Sequence, residues 1–345
     1  MRFNFQIYGL ISAILIGLVS GINWLIDPLW HSKGNRLTGQ NFAFNERLSK
    51  TNQFLKTKDN NYDCIIFGSS RVITLNASTF ENQNCFNYSF KGGFVEDFVQ
   101  YAQFIKEQGI QPKTVYIGVD GYNFVKREKF EKANSELAQV QRSSFYDAYF
   151  SLDVFTFSAM TLLGMSPDPA NYYNQQFEPA EFDNKPTYTP AFHPPQPPQE
   201  CDPSQIEQYQ QLKQIFPDSE FIAYVPLRSA WAVVTETYER NLMDCYLESF
   251  YQISQLYTHL YDFSIPSQIT KDPKNTWDGS HYFTWVNDEV VEILQGKPPN
   301  FGIQVDQYSY EEYRDQYLQA LKKFMEEKGE LDRWQQDTLS SQHHP

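Results

Sequence analysis

The sequence predicts a doubly wound α/β fold, a mostly parallel sheet of five strands, carried behind one N-terminal transmembrane helix. Three observations predict it. An uncharged apolar run opens the chain, a strand–helix–strand unit with short loops follows, and the same alternation resumes after a proline-rich interruption.

The composition narrows the function. The 345 residues carry 28 Lys plus Arg against 42 Asp plus Glu, a formal charge of −14, so a phosphate backbone is repelled and no nucleic-acid partner is expected. At 41% hydrophobic and 17% aromatic the chain can build a core, which excludes disorder as its overall class. The four Cys include no Cys-x-x-Cys spacing of the kind structural zinc usually needs; no metal and no cofactor is expected.

From Ile7 to Ile26 twenty residues carry no charge. At 1.5 Å per residue that is ~30 Å, the thickness of a bilayer core. Trp24 and Trp30 suit its interface. A cleaved signal peptide, with Arg2 as its positive start and Val19-Ser20-Gly21 as the cleavage site, is the competing reading, and the length favours the retained anchor over residues 1–30. Arg2 and the terminal amine are balanced by Lys33 and Arg36, so the flanking charges do not orient the helix.

Asp27-Pro28 breaks the helix, and residues 31–60 read as a juxtamembrane linker with a short helix around Glu46–Leu55. The α/β domain is expected over 61–300. Its first strand is Tyr62–Phe67, ending in Gly68-Ser69-Ser70, and its second is Cys85–Ser89, ending in Gly92-Gly93. Phe94, Phe98, Tyr101 and Ile105 recur about once per turn, which predicts a helix over Gly93–Gln108, and Thr114–Val119 is the third strand. Residues 145–165, rich in Phe, Leu and Met, read as a mostly buried helix. Between Pro167 and Pro203 stand ten of the nineteen prolines, which marks 166–203 as an insertion. A helix at Ser204–Phe216, a strand at Glu220–Val225, a helix at Thr235–Leu256 and a last strand near Leu260–Phe263 complete the pattern. Over 301–345, Tyr310, Tyr313, Tyr317, Leu321 and Phe324 share one stripe of a docking helix, and a flexible tail with His343 and His344 follows. Cys64 and Cys85 stand near the starts of their strands, and Cys201 and Cys245 near helices flanking the fourth; each pair reads either as a disulfide or as two free thiols.

Functional groups of such sheets gather at the carboxyl ends of the strands. There the sequence offers Gly68-Ser69-Ser70-Arg71, then Gly118-Val119-Asp120-Gly121-Tyr122-Asn123, then Trp277-Asp278-Gly279-Ser280-His281-Tyr282. A hydroxyl nucleophile needs a base within hydrogen-bond reach and a carboxylate to orient that base. Asp278 and His281, on one turn, provide both partners for a serine. These blocks resemble the SGNH/GDSL hydrolase superfamily, most closely its membrane-anchored bacterial branch that acylates cell-surface polymers, including relatives of the D-alanine transfer and alginate O-acetylation proteins. The resemblance covers about residues 62–285, the anchor and Asn45-Glu46-Arg47-Leu48-Ser49-Lys50.

The resemblance implies a flavodoxin-like, SGNH-type sheet with Ser70, not Ser69, as nucleophile, His281 as general base and Asp278 as its orienting partner. It places Ser89, in the block Asn87–Gly93 that also holds Gly92, where the family offers a glycine N–H to the oxyanion. Asp120 stands where the family has a donor asparagine; Asn123 is a substitute donor, and Arg71 is a partner that would hold Asp120 as an ion pair. The implied activity is a serine esterase or O-acyltransferase acting on an envelope polysaccharide or glycan. Its expected partners are an acylated or acyl-accepting surface glycan and other membrane proteins of a polysaccharide pathway. The expected location is the cytoplasmic membrane, with the bulk of the chain extracytoplasmic. The alternative is a catalytically degenerate binding or scaffold protein of the same kind of assembly.

Overall fold

Cys64-Ile65-Ile66-Phe67 has no charged side chain, so as a strand it needs neighbours on both edges and cover on both faces. The computed structural model provides them; it describes residues 2–126, 140, 142–165, 172–174, 177–179, 186–194 and 196–334. Cys64–Phe67 (β1) is buried at every position and lies between Cys85–Asn87 (β2) and Thr114–Gly118 (β3), parallel to both. Glu220–Val225 (β4) pairs with β3 and His259–Asp262 (β5) with β4, again in parallel. The order is therefore β2-β1-β3-β4-β5, and it reverses direction at β1 and β3.

A sixth strand, Ile303–Gln304 (β6), joins β5 antiparallel, with Tyr261 opposite Gln304 and Asp262 opposite Ile303. The sheet thus has six strands instead of the expected five. Two residues are too short to carry an alternation, and only pairing defines this edge.

Helices cover both faces. Val95–Glu107 (α1), Ile206–Ile215 (α2) and Met243–Ser254 (α3) follow one another along one side, where Phe67 stacks on Phe98 and Phe124 lies against Tyr209 and Phe250. On the other side Val286, Val290 and Val291 of Thr284–Leu294 (α4) share a core with Ile66, Tyr116, Tyr224 and Tyr261. Tyr310–Lys328 (α5) docks through its tyrosines: Tyr313 Oη donates to Asp262 Oδ2 at 2.5 Å, and Tyr317 Oη meets Ser264 Oγ at 2.9 Å. Both cysteine pairs are bonded, Cys64 to Cys85 across β1 and β2 and Cys201 to Cys245.

The expected helix over Thr235–Leu256 starts only at Met243. Ahead of it a short helix, Ala230–Val233, runs into a π-turn, Val234–Tyr238, and Asn241 at φ 57° breaks the direction before α3.

The chain divides into two units, and all of these elements belong to Tyr62–Ala138 with Pro186–Pro345. The other unit is Met1–Asn61 with Gln139–Lys185. It contains the helix Arg2–Ile26, whose stretch from Phe5 is long and apolar enough to cross a membrane. The segment 31–60, expected to be a linker, is built into this unit. Gln40–Phe42 pairs antiparallel with Tyr172–Asn174, Asn41 Nδ2 donates to the Ile26 and Asp27 carbonyls, and Asn52 Nδ2 donates to that of Leu29. Asparagines of a segment expected to be a linker are here the partners of buried backbone oxygens. The helix Glu46–Thr57 starts on an Asn45 cap, its side chain accepting from the Leu48 N–H at 3.1 Å.

The expected single buried helix at 145–165 is two helices, Phe145–Tyr149 and Leu152–Leu162, because Ser151 caps the second by accepting the Asp153 and Val154 N–H groups. Much of their apolar surface is exposed, contrary to the sequence reading. Residues 166–171, 175–176, 180–185 and 195 of the proline-rich stretch and the tail 335–345 lie outside the described residues.

Candidate active site

The site is assembled at the carboxyl ends of β1 and β3, where the strand order reverses, and the loop 276–282 ahead of α4 reaches it there. Gly68 leads out of β1 under Val72. A side chain at Gly68 would place its Cβ 2.2 Å from Val72 Cγ2, so only glycine lets the turn close. The turn is tied by the Val72 N–H to the Ser69 carbonyl at 3.0 Å and by the Arg71 N–H to Ser69 Oγ at 3.2 Å. Ser69 is thereby buried in the turn, and Ser70 is left partly exposed at its tip.

His281 Nε2 stands 2.8 Å from Ser70 Oγ, and its Nδ1 stands 2.6 Å from Asp278 Oδ2. A carboxylate only accepts, so Nδ1 carries the proton and Nε2 accepts from the Ser70 hydroxyl. The other Asp278 oxygen accepts the Ser280 and His281 backbone N–H groups at 2.8 and 2.7 Å. Burial pushes the Asp278 carboxyl up, but the hydrogen bond and charge of His281 and the backbone donors outweigh it and hold it below its ordinary 3.8.

Two residues given no role in the sequence reading hold this loop, and a third holds the serine turn. Thr276 Oγ1 donates to the His281 carbonyl at 2.6 Å and accepts the Gly279 N–H at 2.9 Å. The Trp277 ring stacks on the His281 imidazole, with centroids 5.6 Å apart and planes 13° from parallel. Asn87, the polar residue closing the otherwise apolar β2, donates to the Val72 and Leu75 carbonyls at 3.2 and 2.8 Å and so clamps the serine turn. A polar side chain inside Cys85-Phe86-Asn87-Tyr88 was the one sequence signal for it.

The remaining candidates fall differently. The Ser89 N–H and hydroxyl both donate to Asn87 Oδ1, at 3.0 and 2.5 Å, so this N–H is not presented to an oxyanion. Gly92 is exposed at φ 58° on the turn before α1. Asn123 does not substitute as a donor either. Its Oδ1 caps α1 by accepting the Val95 N–H at 3.2 Å, and its Nδ2 donates to the Asp120 carbonyl at 3.1 Å.

Asp120 is buried and held by Arg71, whose Nη1 donates to Oδ1 at 2.5 Å. Burial pulls the Arg71 guanidinium down, but Asp120 and Tyr122 more than compensate and hold it above its usual range. Tyr122 in turn donates to the Gly93 carbonyl at 2.5 Å. Arg71 and Asp120 line a hollow together with Arg228, Tyr246, Ser264 and Tyr317, so two guanidinium groups share it with one carboxylate.

As a chemical device, the arrangement can deprotonate Ser70 through His281 while Asp278 stabilises the resulting imidazolium. The His281 side chain is 27% exposed and therefore open to a substrate. No known family pattern matches the chain, and no curated protein matches it in sequence.

Proposed function

We propose that this protein is a membrane-anchored serine esterase or O-acyltransferase of the SGNH type, working on an envelope glycan outside the cytoplasmic membrane. The observation that carries the reading is the hydrogen-bonded series Ser70 Oγ, His281 Nε2, His281 Nδ1 and Asp278 Oδ2, at 2.8 and 2.6 Å. Ser70 Oγ attacks the carbonyl carbon of an acyl donor as its proton passes to His281 Nε2, and the leaving oxygen takes that proton as the C–O bond breaks. Water or a sugar hydroxyl, deprotonated by the same nitrogen, then attacks the acyl carbonyl carbon, and Ser70 Oγ leaves with that proton as its bond to the acyl group breaks. The Ser70 backbone N–H is the oxyanion donor in this reading, and the hollow beside Arg71 is lined by two guanidinium groups that are each ion-paired, Arg71 with Asp120 and Arg228 with Glu236.

The β2-β1-β3-β4-β5 order supports a flavodoxin-like sheet of the SGNH kind. Two disulfides support an oxidising, extracytoplasmic compartment, with the apolar N-terminal helix as the anchor. Other membrane proteins of the same polysaccharide pathway are the partners this placement suggests.

One observation favours the second reading, a glycan-binding or scaffold module: the Ser89 N–H and the Asn123 amide are both occupied, which leaves the oxyanion fewer donors. Hydrolysis of p-nitrophenyl acetate by the detergent-solubilised chain separates the two. The enzyme reading expects turnover that Ser70→Ala and His281→Ala each abolish. Equal inertness of all three folded proteins would reject it.

A further inference from the structure

The helix Leu152–Leu162 is turned inside out for a water-soluble element. Its buried residues are Val154 and the hydroxyl-bearing Ser158, while Leu152 is 70%, Leu162 51% and Leu163 just beyond it 71% exposed. From Val154 to Met165 the chain carries no charge at all. Ser158 faces the N-terminal helix: its Oγ donates to Asn23 Oδ1 at 3.0 Å, and Asn23 Nδ2 donates to the Tyr149 and Ser151 carbonyls at 3.1 and 3.0 Å. Asn23 is fully buried in this contact, whereas Leu10, Ile14 and Leu18 of the same helix are bare.

Polar groups joined between helices with leucines turned outward is the arrangement that a lipid solvent selects, since water selects the reverse. From these residues we infer that segment 145–165 is a second membrane-contacting element, seated in the bilayer beside the carboxyl end of the N-terminal helix. The inference rests on the reading of that helix as a membrane anchor. What argues for lipid rather than a protein partner is continuity: both helices belong to one unit and are packed together at Asn23, and the exposed leucines extend an apolar surface that begins on the anchor.

Length and charge set how it lies. Eleven helical residues rise ~16 Å, about half of a bilayer core, so the helix enters one leaflet and does not cross. Its charges, Asp147 and Asp153, stand in the first turns of the two short helices, which keeps those turns at the headgroups and sends Leu162, Leu163 and Met165 deepest. Trp24, half exposed with the Arg36 guanidinium 4.2 Å from its ring, marks the headgroup level on the anchor itself.

The test uses the full-length chain in vesicles of phosphatidylethanolamine and phosphatidylglycerol, with a diazirine-bearing amino acid placed singly at Leu162, Leu163, Ile14 or Lys297. After irradiation, mass spectrometry reads the adducts. The inference expects phospholipid adducts at Leu162 and Leu163 comparable to those at Ile14 and at least tenfold above those at Lys297. Adducts at Ile14 alone would overturn it while leaving the anchor intact. Absence of lipid adducts at Ile14 as well would overturn the anchor reading and this inference together, and cross-links from Leu162 or Leu163 to a second copy of the chain would replace lipid with a protein interface.

Discussion

Arg71 donates to Asp120 at 2.5 Å in an ion pair whose carboxylate is 1% and whose guanidinium is 15% exposed. The residue after Ser70 in sequence thus neutralises the acidic residue at the end of the neighbouring strand. An unpaired carboxylate there would oppose a developing oxyanion; paired, it fixes the guanidinium beside Ser70.

Breaking that pair from one side leaves a buried charge. Arg71→Ala is expected to cost roughly 3–5 kcal/mol of unfolding free energy, while Asp120→Asn, which keeps an acceptor for Arg71, costs less. Urea titrations followed by tryptophan fluorescence measure both. A loss below about 1 kcal/mol for Arg71→Ala would show that the pair carries little stability.

Asp278→Asn should leave the fold in place and lower ester hydrolysis by ~10⁴, because an amide no longer selects the tautomer with Nδ1 protonated. The acid limb of stability should change too. The folded carboxyl titrates below 3.8, so its contribution is present above 3.8 and vanishes as pH falls through the lower folded value. Between pH 6 and pH 3 the variant's urea midpoint should therefore fall less than the native one, and an equal fall would contradict the assignment.

Gly279 sits at φ 85°, and a Cβ there would lie 2.7 Å from the Tyr188 ring. Tyr188 is itself held, its hydroxyl 2.8 Å from Ser229 Oγ, while the Ser229 N–H donates to the Gly279 carbonyl at 2.8 Å. Gly279→Ala should push the loop that carries Asp278 and His281 and reduce activity by ~10²-fold, the cost of about 1 Å of misplacement. Adding Tyr188→Ala removes the clash but not the backbone strain, so steady-state kinetics of the double variant should recover part of the loss.

The two disulfides close loops of different length, with sequence separations of 21 and 44. Loop entropy predicts roughly 3 kcal/mol lost in Cys64→Ser/Cys85→Ser and roughly 4 kcal/mol in Cys201→Ser/Cys245→Ser. Denaturation of the two double variants under the same buffer gives the order. A larger loss for the shorter loop would point to packing at β1 and β2 as the greater term.

The parts of the fold that were legible in sequence are those whose signal is local. Phe94, Phe98, Tyr101 and Ile105 mark α1, and the apolar runs at Cys64, Thr114 and Glu220 mark strands, because burial on a regular element repeats within a few residues. The turn at Asp278 was legible for the same reason, since its carboxylate binds N–H groups only two and three residues on. What has no local period was missed: the two-residue β6, and the ties made by Asn41 and Asn52, whose partners lie 14 to 23 residues away or further.

By itself, then, the sequence determined the alternation of strands and helices, the apolar N-terminal helix and the chemical types Ser, His and Asp at strand ends. Only the tertiary structure decided that Ser70 and His281, 211 positions apart, meet at 2.8 Å, that the Ser89 N–H turns to Asn87, that Asn123 caps α1, and that Asp120 belongs to Arg71. The reason is physical. A buried donor or acceptor must be satisfied by whichever partner the packed chain brings within ~3 Å, and that competition is settled in space, among groups whose separation along the chain carries no trace of it.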